Sequence, residues 1–389
     1  MPRHQWWQKP VLRADEDRGL ERRVSWLELF FDLYFVVVIA ELSAQLARDV
    51  SWPSLGKFVV LFLPVWWVWI GSTYYIERFE TEGVEHRLNL FALMIPISGL
   101  AVFARDGFGA TSLGYGLSYA IARTYQTLLW WNAGIHNPTF RPIAKRLSIG
   151  SSAGFGCFYA SCFVPPPLRF ACWGIGLAFD MLTPAFTLEQ QKKLPKLSRD
   201  RLPERYGLFV IIVLGEVIFG VVSGLAARET LTISTAISGI LGIALAYGLW
   251  WIYFDSVGRP TLRPSIAWRL GWSYAHLPLT MAIAITGAGI LNAIGDNDLV
   301  PDTRVRMLLS GAVATALLSV AIVEFCSHRP AQKWADANLS FGLKCGSAFL
   351  ALALGWVSQS LHAIAFELLL FLPISIQIGY GLYDWLARD

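Results

Sequence analysis

WLELFFDLYF, residues 26–35, is almost wholly apolar yet carries Glu28 and Asp32. Two carboxylates four residues apart share one face of a helix. The apolar run does not stop at residue 35 but continues to about residue 47. A run of that length is what a membrane-spanning helix needs, about 20 residues. The two acids therefore lie inside a candidate span.

The rest of the chain has the same character. Of its 389 residues, 55% are hydrophobic and only 15% charged, where a soluble chain carries about a quarter charged. Seventeen tryptophans suit a protein with aromatic belts at two membrane interfaces. The first 25 residues are polar and basic, with Trp6 and Trp7 placed to touch headgroups, so no cleavable signal peptide is expected. The first apolar segment is expected to act as an uncleaved signal-anchor. Cys157, Cys162, Cys172, Cys326 and Cys345 all lie in apolar segments, and their spacing suggests neither a disulfide framework nor a zinc site. They read as small buried hydrophobes. The net charge of +4 sits in loops and is no nucleic-acid signal.

Twelve apolar runs of roughly spanning length follow one another: 26–47, 55–76, 88–104, 112–134, 147–164, 167–187, 206–226, 233–254, 270–293, 305–327, 339–358 and 361–384. The runs are continuous rather than alternating, which points to helices rather than strands. With the N-terminus inside, 23 lysines and arginines fall in cytoplasmic segments and seven outside, with Arg123 and Lys344 inside helices. That bias obeys the positive-inside rule through every loop. The expected fold is an all-α polytopic membrane protein of about 12 spans (10–12), with both termini cytoplasmic. The expected organisation is a basic segment 1–25, six spans in 26–188, a basic linker 189–205 and six spans in 206–389.

The two halves are related in sequence. LFFDLYFVVV (29–38) aligns with VLGEVIFGVV (213–222), and WWVWI (66–70) with WWIYF (250–254), both at an offset of 184. RLNLFALMIP (87–96) aligns with RLGWSYAHLP (269–278) at 182. Three blocks in order at nearly one offset signal duplication. Six spans per half make the repeats parallel, related by an axis along the membrane normal. Asp32 and Glu216 are then equivalents.

Ionisable groups at bilayer depth are costly and face protein or water. Asp32 lies about 10 Å into its helix at 1.5 Å per residue, and Glu28 one turn nearer the cytoplasm. Asp32, Glu216, Glu28 and His276 are the candidate ion or proton pathway. His276 stands where the first half has Met94, so it breaks the symmetry. Arg123, Glu204, Arg205 and Asp255 are candidates for structural ion pairs, Arg123 being placed mid-helix as a counter-charge for a carboxylate of the first half. Asp180, Glu324, Lys344, His362 and Glu367 complete the set, with interfacial or structural roles. Pro64, Pro96, Pro184, Pro278 and Pro373 lie within apolar runs and can kink helices.

The chain has no Walker loop, no H-E-x-x-H, no G-x-S-x-G and no cysteine–histidine metal pattern. No enzyme activity, cofactor or metal is expected.

RVSWLELFFDLYFVVVIAEL resembles the opening signature of the bacterial low-temperature-requirement protein A (LtrA) family. WWVWIGSTYYIERFETEGVEHR, PERYGLFVIIVLGEVI, LWWIYFD and YAHLPL resemble later blocks of the same family, in the same order over essentially the whole chain. The resemblance marks Glu28, Asp32, Arg123, Glu204, Arg205, Gly215, Glu216, Asp255 and His276 as signature residues. Tyr34, Tyr206 and Val217 depart from the residues common there, Val, Phe and Ser. The resemblance implies a membrane protein without assigning it a chemistry. In plan, the tandem six-helix unit is also similar to potassium channels with an F-S-D signature, an analogy of fold alone. The expected function is a channel or secondary transporter for a small cation or proton in the bacterial inner membrane. The alternative is a non-transporting scaffold of stress adaptation. The expected partners are the lipid bilayer and a small ion or solute, with a homodimer left open and no nucleic acid.

Overall fold

The structure is a computed structural model that describes residues 8–13, 24–80, 83–195, 201–257, 261–263, 265–295, 300–328 and 337–386. Much of the basic N-terminal segment, including Trp6 and Trp7, lies outside the described residues, as do linker residues 196–200. So do Arg3, Arg18, Arg22, Arg23, Arg259, Arg329, Lys333 and Arg388 of the charge count.

Every apolar run forms a helix. The long helices are α1 (Trp26–Arg48), α2 (Trp52–Arg78), α3 (Val84–Ala104), α4 (Ser112–His136), α5 (Arg141–Ser161) and α6 (Leu168–Leu182). After a 3-10 segment Thr183–Thr187 and a single turn Leu188–Gln191 come α7 (Arg201–Ala226), α8 (Ile233–Val257), α9 (Ile266–Gly295), α10 (Thr303–Cys326), α11 (Ala337–Val357) and α12 (Ala363–Leu386). Among the described residues, nine stretches are long and apolar enough to cross a membrane, the α6 stretch counted through Gln191. The other three are α1, α4 and α5. These carry the acids of WLELFFDLYF, Arg123, and a run of serines and glycines (148–156). Pro64, Pro96, Pro278 and Pro373 sit inside helices, and Pro184 falls in the 3-10 segment.

The described residues also form two short ribbons. β1 (Val11–Leu12) pairs antiparallel with β2 (Phe79–Glu80), and β3 (Thr261–Leu262) with β4 (Ser327–His328).

α1 shows why the sequence is apolar where it faces outward and charged where it does not. Glu28, Phe31, Asp32, Phe35, Val38, Ile39 and Leu42 are buried, at helical spacing. Phe30, Leu33 and Val37 are exposed. In water that arrangement would place the costly surface on the outside. In lipid it is the favourable one, because acyl chains cover the apolar face and the protein supplies partners for the acids.

The chain divides into two compact units. The first comprises residues up to Leu42 and Val59–Arg205, and the second comprises Ser43–Phe58 and the residues from Tyr206 onward. Within the first, α4 packs on α3 and α5, and α5 on α6. Within the second, α10 packs between α9 and α11, and α12 lies on α8. The first turn of α7, Arg201 to Arg205, belongs to the first unit.

Candidate functional site

The acids of α1 meet two guanidinium groups from the start of α7, all within the first unit. Glu28 Oε1 accepts hydrogen bonds from Ser25 Oγ at 2.9 Å and Arg201 Nη2 at 2.8 Å. Its Oε2 lies 3.3 Å from Arg205 Nη1. One turn on, Asp32 Oδ1 accepts from Trp69 Nε1 of α2 at 2.9 Å and from Arg205 Nη2 at 3.4 Å. Glu28 and Arg201 are 173 residues apart, and so are Asp32 and Arg205. Equal separations mean that the two helix starts advance in the same sense. The pairs are rungs of a ladder between parallel turns.

A third carboxylate joins them. Glu77, in the last turn of α2, is 2% exposed and has Oε2 at 3.8 Å from Arg201 Nε. Neither Glu77 oxygen accepts a hydrogen bond, and Asp32 Oδ2 accepts none either. Arg205 is fully buried. The group therefore holds charge on both sides and acceptor capacity that the described side chains leave unfilled.

A second network lies in the same unit. Arg123 Nη2 donates to Asp180 Oδ1 of α6 at 2.7 Å and to Ser151 Oγ of α5 at 2.8 Å. Its Nε donates to Asp180 Oδ2 at 3.2 Å and its Nη1 to Gln126 Oε1 at 2.7 Å. Tyr119 OH donates to Asp180 Oδ2 at 2.6 Å. Gln126 Nε2 continues the chain to Ser72 Oγ at 2.7 Å and Val68 O at 2.6 Å on α2. Gly71 permits this approach, since a Cβ there would stand 3.0 Å from Gln126 Oε1 and 3.1 Å from Arg123 Nη1. Beside it, Ser72, His86, Asn89 and Gln126 help line a cavity of about 10 Å³, room for a single water. Among the described residues no group of three His, Cys, Asp or Glu side chains is placed to hold a metal ion.

In the second unit, His276 of α9 is fully buried. Its Nδ1 lies 2.8 Å from Trp272 O and its Nε2 3.0 Å from Tyr253 OH. The Tyr206 ring packs on it at 4.6 Å between centroids. Lys344 Nζ pairs with Glu324 Oε2 at 2.7 Å and donates to Ser340 Oγ at 2.9 Å. Ser238 Oγ of α8 donates to the Glu367 carboxylate. Glu216 is buried on α7, and no described residue gives it a hydrogen bond or ion pair.

The residues singled out in the sequence are thus distributed. Glu28, Asp32 and Arg205 come together, and Arg123 finds its carboxylate in Asp180. Glu216 and His276 belong to the second unit. Asp255 is exposed and accepts a hydrogen bond from Trp251 Nε1 at 2.8 Å, without an ion pair among the described residues. Glu204 is exposed and likewise has none there. Sequence reading missed Arg201, Glu77 and Trp69 as members of the first cluster. One signal was available for Arg201: the pair 201/205 repeats, in cations, the four-residue spacing of 28/32.

A chain of long helices with buried ion pairs and, among the described residues, nine stretches fit to cross a bilayer is a multi-pass membrane protein. It belongs to the bacterial low temperature requirement A protein (LtrA) family, whose sequence profile matches residues 23–374. It is similar to the uncharacterized protein RA0937 of Rhizobium meliloti (strain 1021), at 27% identity over 290 residues, covering 69% of each chain.

Proposed function

We propose that the protein carries a small cation or a proton across the bacterial inner membrane, as a channel or secondary transporter, without enzymatic chemistry. The reading takes the chain as twelve spans in two parallel six-helix repeats with cytoplasmic termini. A homodimer is compatible with it.

The observation that supports it is the unfilled acceptor capacity of the first cluster. A purely structural ion-pair ladder gains most when every oxygen and N–H is matched, because an unmatched buried polar group costs about 1–3 kcal/mol. Here Glu77 and Asp32 keep free oxygens beside two guanidinium groups. Intramembrane groups of that kind characteristically line water or ion pathways.

A second reading, a non-transporting membrane scaffold of stress adaptation, is favoured by one feature. The Arg123 guanidinium is matched by Asp180, Ser151 and Gln126 with good geometry. That is how polar glue between helices behaves.

Flux in proteoliposomes separates the two. K⁺, Na⁺ and H⁺ gradients are imposed in turn on wild type and Asp32→Asn. Flux in wild type that falls in the variant, with both proteins monodisperse in detergent, supports transport. Silence from folded wild type under every gradient favours the scaffold.

A further inference from the structure

Eight carboxylates are buried among the described residues: Glu28, Asp32, Glu77, Glu85, Asp180, Glu216, Glu324 and Glu367. Seven have a donor or a cation. Glu28 and Asp32 have Arg201, Arg205 and Trp69. Glu77 has Arg201, and Glu85 the backbone N–H of Gln8. Asp180 has Arg123 and Tyr119, Glu324 has Lys344, and Glu367 has Ser238. Glu216 has none.

Its surroundings are apolar. Glu216 is 6% exposed and shares the inward face of α7 with Val213, Val217 and Gly220, while Ile218, Phe219 and Val222 face out. The α9 backbone lies directly on it, since a Cβ on Gly287 would come within 2.5 Å of Glu216 O. α8 crosses α7 above, where a Cβ on Gly242 would meet Val221. The stretches that bring these crossings about, residues 277–291 of α9 and 233–246 of α8, contain no titratable side chain. Farther along those helices the titratable groups are Arg269, Tyr274 and His276 on α9 and Tyr247, Tyr253 and Asp255 on α8. His276 is 11 positions before Gly287, about 16 Å along the axis. Arg228 lies beyond the outer end of α7, where it donates to Ile294 O.

The internal repeat explains why Glu216 is alone. Its counterpart Asp32 takes a hydrogen bond from Trp69. The residue aligned with Trp69 is Tyr253, whose hydroxyl instead meets His276. His276 stands where the first half has Met94. The histidine takes up the counterpart of Trp69, one of the two donors to Asp32.

We propose that Glu216 is a proton-exchanging site and that the species carried is H⁺. This rests on the transport reading above and narrows it. Asp32 is an anchored anion of the first unit, while Glu216 holds a proton in the interior and passes it on when water reaches it. A lone ionised carboxylate in such a setting costs several kcal/mol of desolvation with no counter-charge to offset it. A neutral carboxyl avoids that cost. A metal cation at Glu216 would need further oxygen ligands, about six in all for a hard cation, and no described cluster supplies them.

Dicyclohexylcarbodiimide tests this on the full-length protein in proteoliposomes. The carboxyl proton goes to one carbodiimide nitrogen and the carboxylate oxygen bonds the central carbon. Acyl transfer to nitrogen then leaves a stable N-acylurea, with no other reactant consumed. The expected result is an adduct on the peptide holding Glu216 and none on Asp32, with labelling that fades as the medium is made alkaline. Labelling should block proton flux, and Glu216→Gln should lower it by about a hundredfold or more, while Glu216→Asp keeps both label and flux. An unlabelled Glu216 in wild type overturns the inference without needing any variant. K⁺ or Na⁺ flux without H⁺ flux overturns it and leaves the transport reading intact. No flux of any ion from folded wild type removes both.

Discussion

Arg205 is the residue on which the first cluster turns. It is fully buried and reaches Glu28 with one nitrogen and Asp32 with the other. Arg205→Met leaves two buried carboxylates short of a cation, and breaking a buried pair costs about 3–5 kcal/mol. Trp69→Phe removes one hydrogen bond from Asp32 and should cost less, about 1–3 kcal/mol. Thermal unfolding midpoints in detergent give the order, and a larger loss from Trp69→Phe would mean that the tryptophan, not the arginine, holds Asp32. For Arg123 and Asp180 a double-mutant cycle is informative. Each single change, Arg123→Met or Asp180→Leu, should destabilise by about 3–5 kcal/mol, and the double should cost well below their sum. At this scale the sequence was partly legible. Carboxylates in an apolar run announce themselves by composition, so Glu28, Asp32 and Glu216 stand out. Of the cations that meet Glu28 and Asp32, Arg205 was singled out but Arg201 was not, because a contact 173 residues away in the chain leaves no local signature. Glu77 sits in the polar end of its helix, YYIERFE, where an acid looks like an ordinary interfacial residue.

Among the elements, the apolar runs located all twelve long helices but not their ends. α7 begins at Arg201 rather than 206, and α5 at Arg141 rather than 147. Hydropathy reports only the part of a helix that lipid covers, whereas helical hydrogen bonding continues into the basic ends. α6 stops short of the expected 187 at Leu182, where Pro184 turns the chain into a 3-10 segment. In the second unit α7 and α9 meet backbone to backbone at Gly287. A side chain there would collide with backbone at Glu216, which cannot move aside as a flexible side chain can. Gly287→Val should therefore lower the yield of monodisperse protein on detergent gel filtration. Gly346→Ala, with open space around its Cβ position, is the control that should leave it unchanged.

For the whole molecule, the charge bias predicts sidedness. In a variant lacking Cys157, Cys162, Cys172, Cys326 and Cys345, a cysteine at exposed Lys145 should react with an impermeant thiol reagent only in inverted vesicles. One at exposed Arg105 should react only from the cell exterior. Labelling of both from one side would require an odd change in the number of spans between them, and so a different count in the first half.

The ladder between α1 and α7 also sets a timetable. The ribosome delivers Glu28 and Asp32 long before Arg201 and Arg205 exist. The nascent chain must hold its first helix in the membrane, or wait beside it, with two acids unmatched while more than a hundred and fifty further residues are made. Trp69 arrives early and can shelter Asp32 in the interval. A chain released before residue 201 should accordingly be a poor lodger in the bilayer, and co-synthesis of the remainder should rescue it by supplying the missing cations.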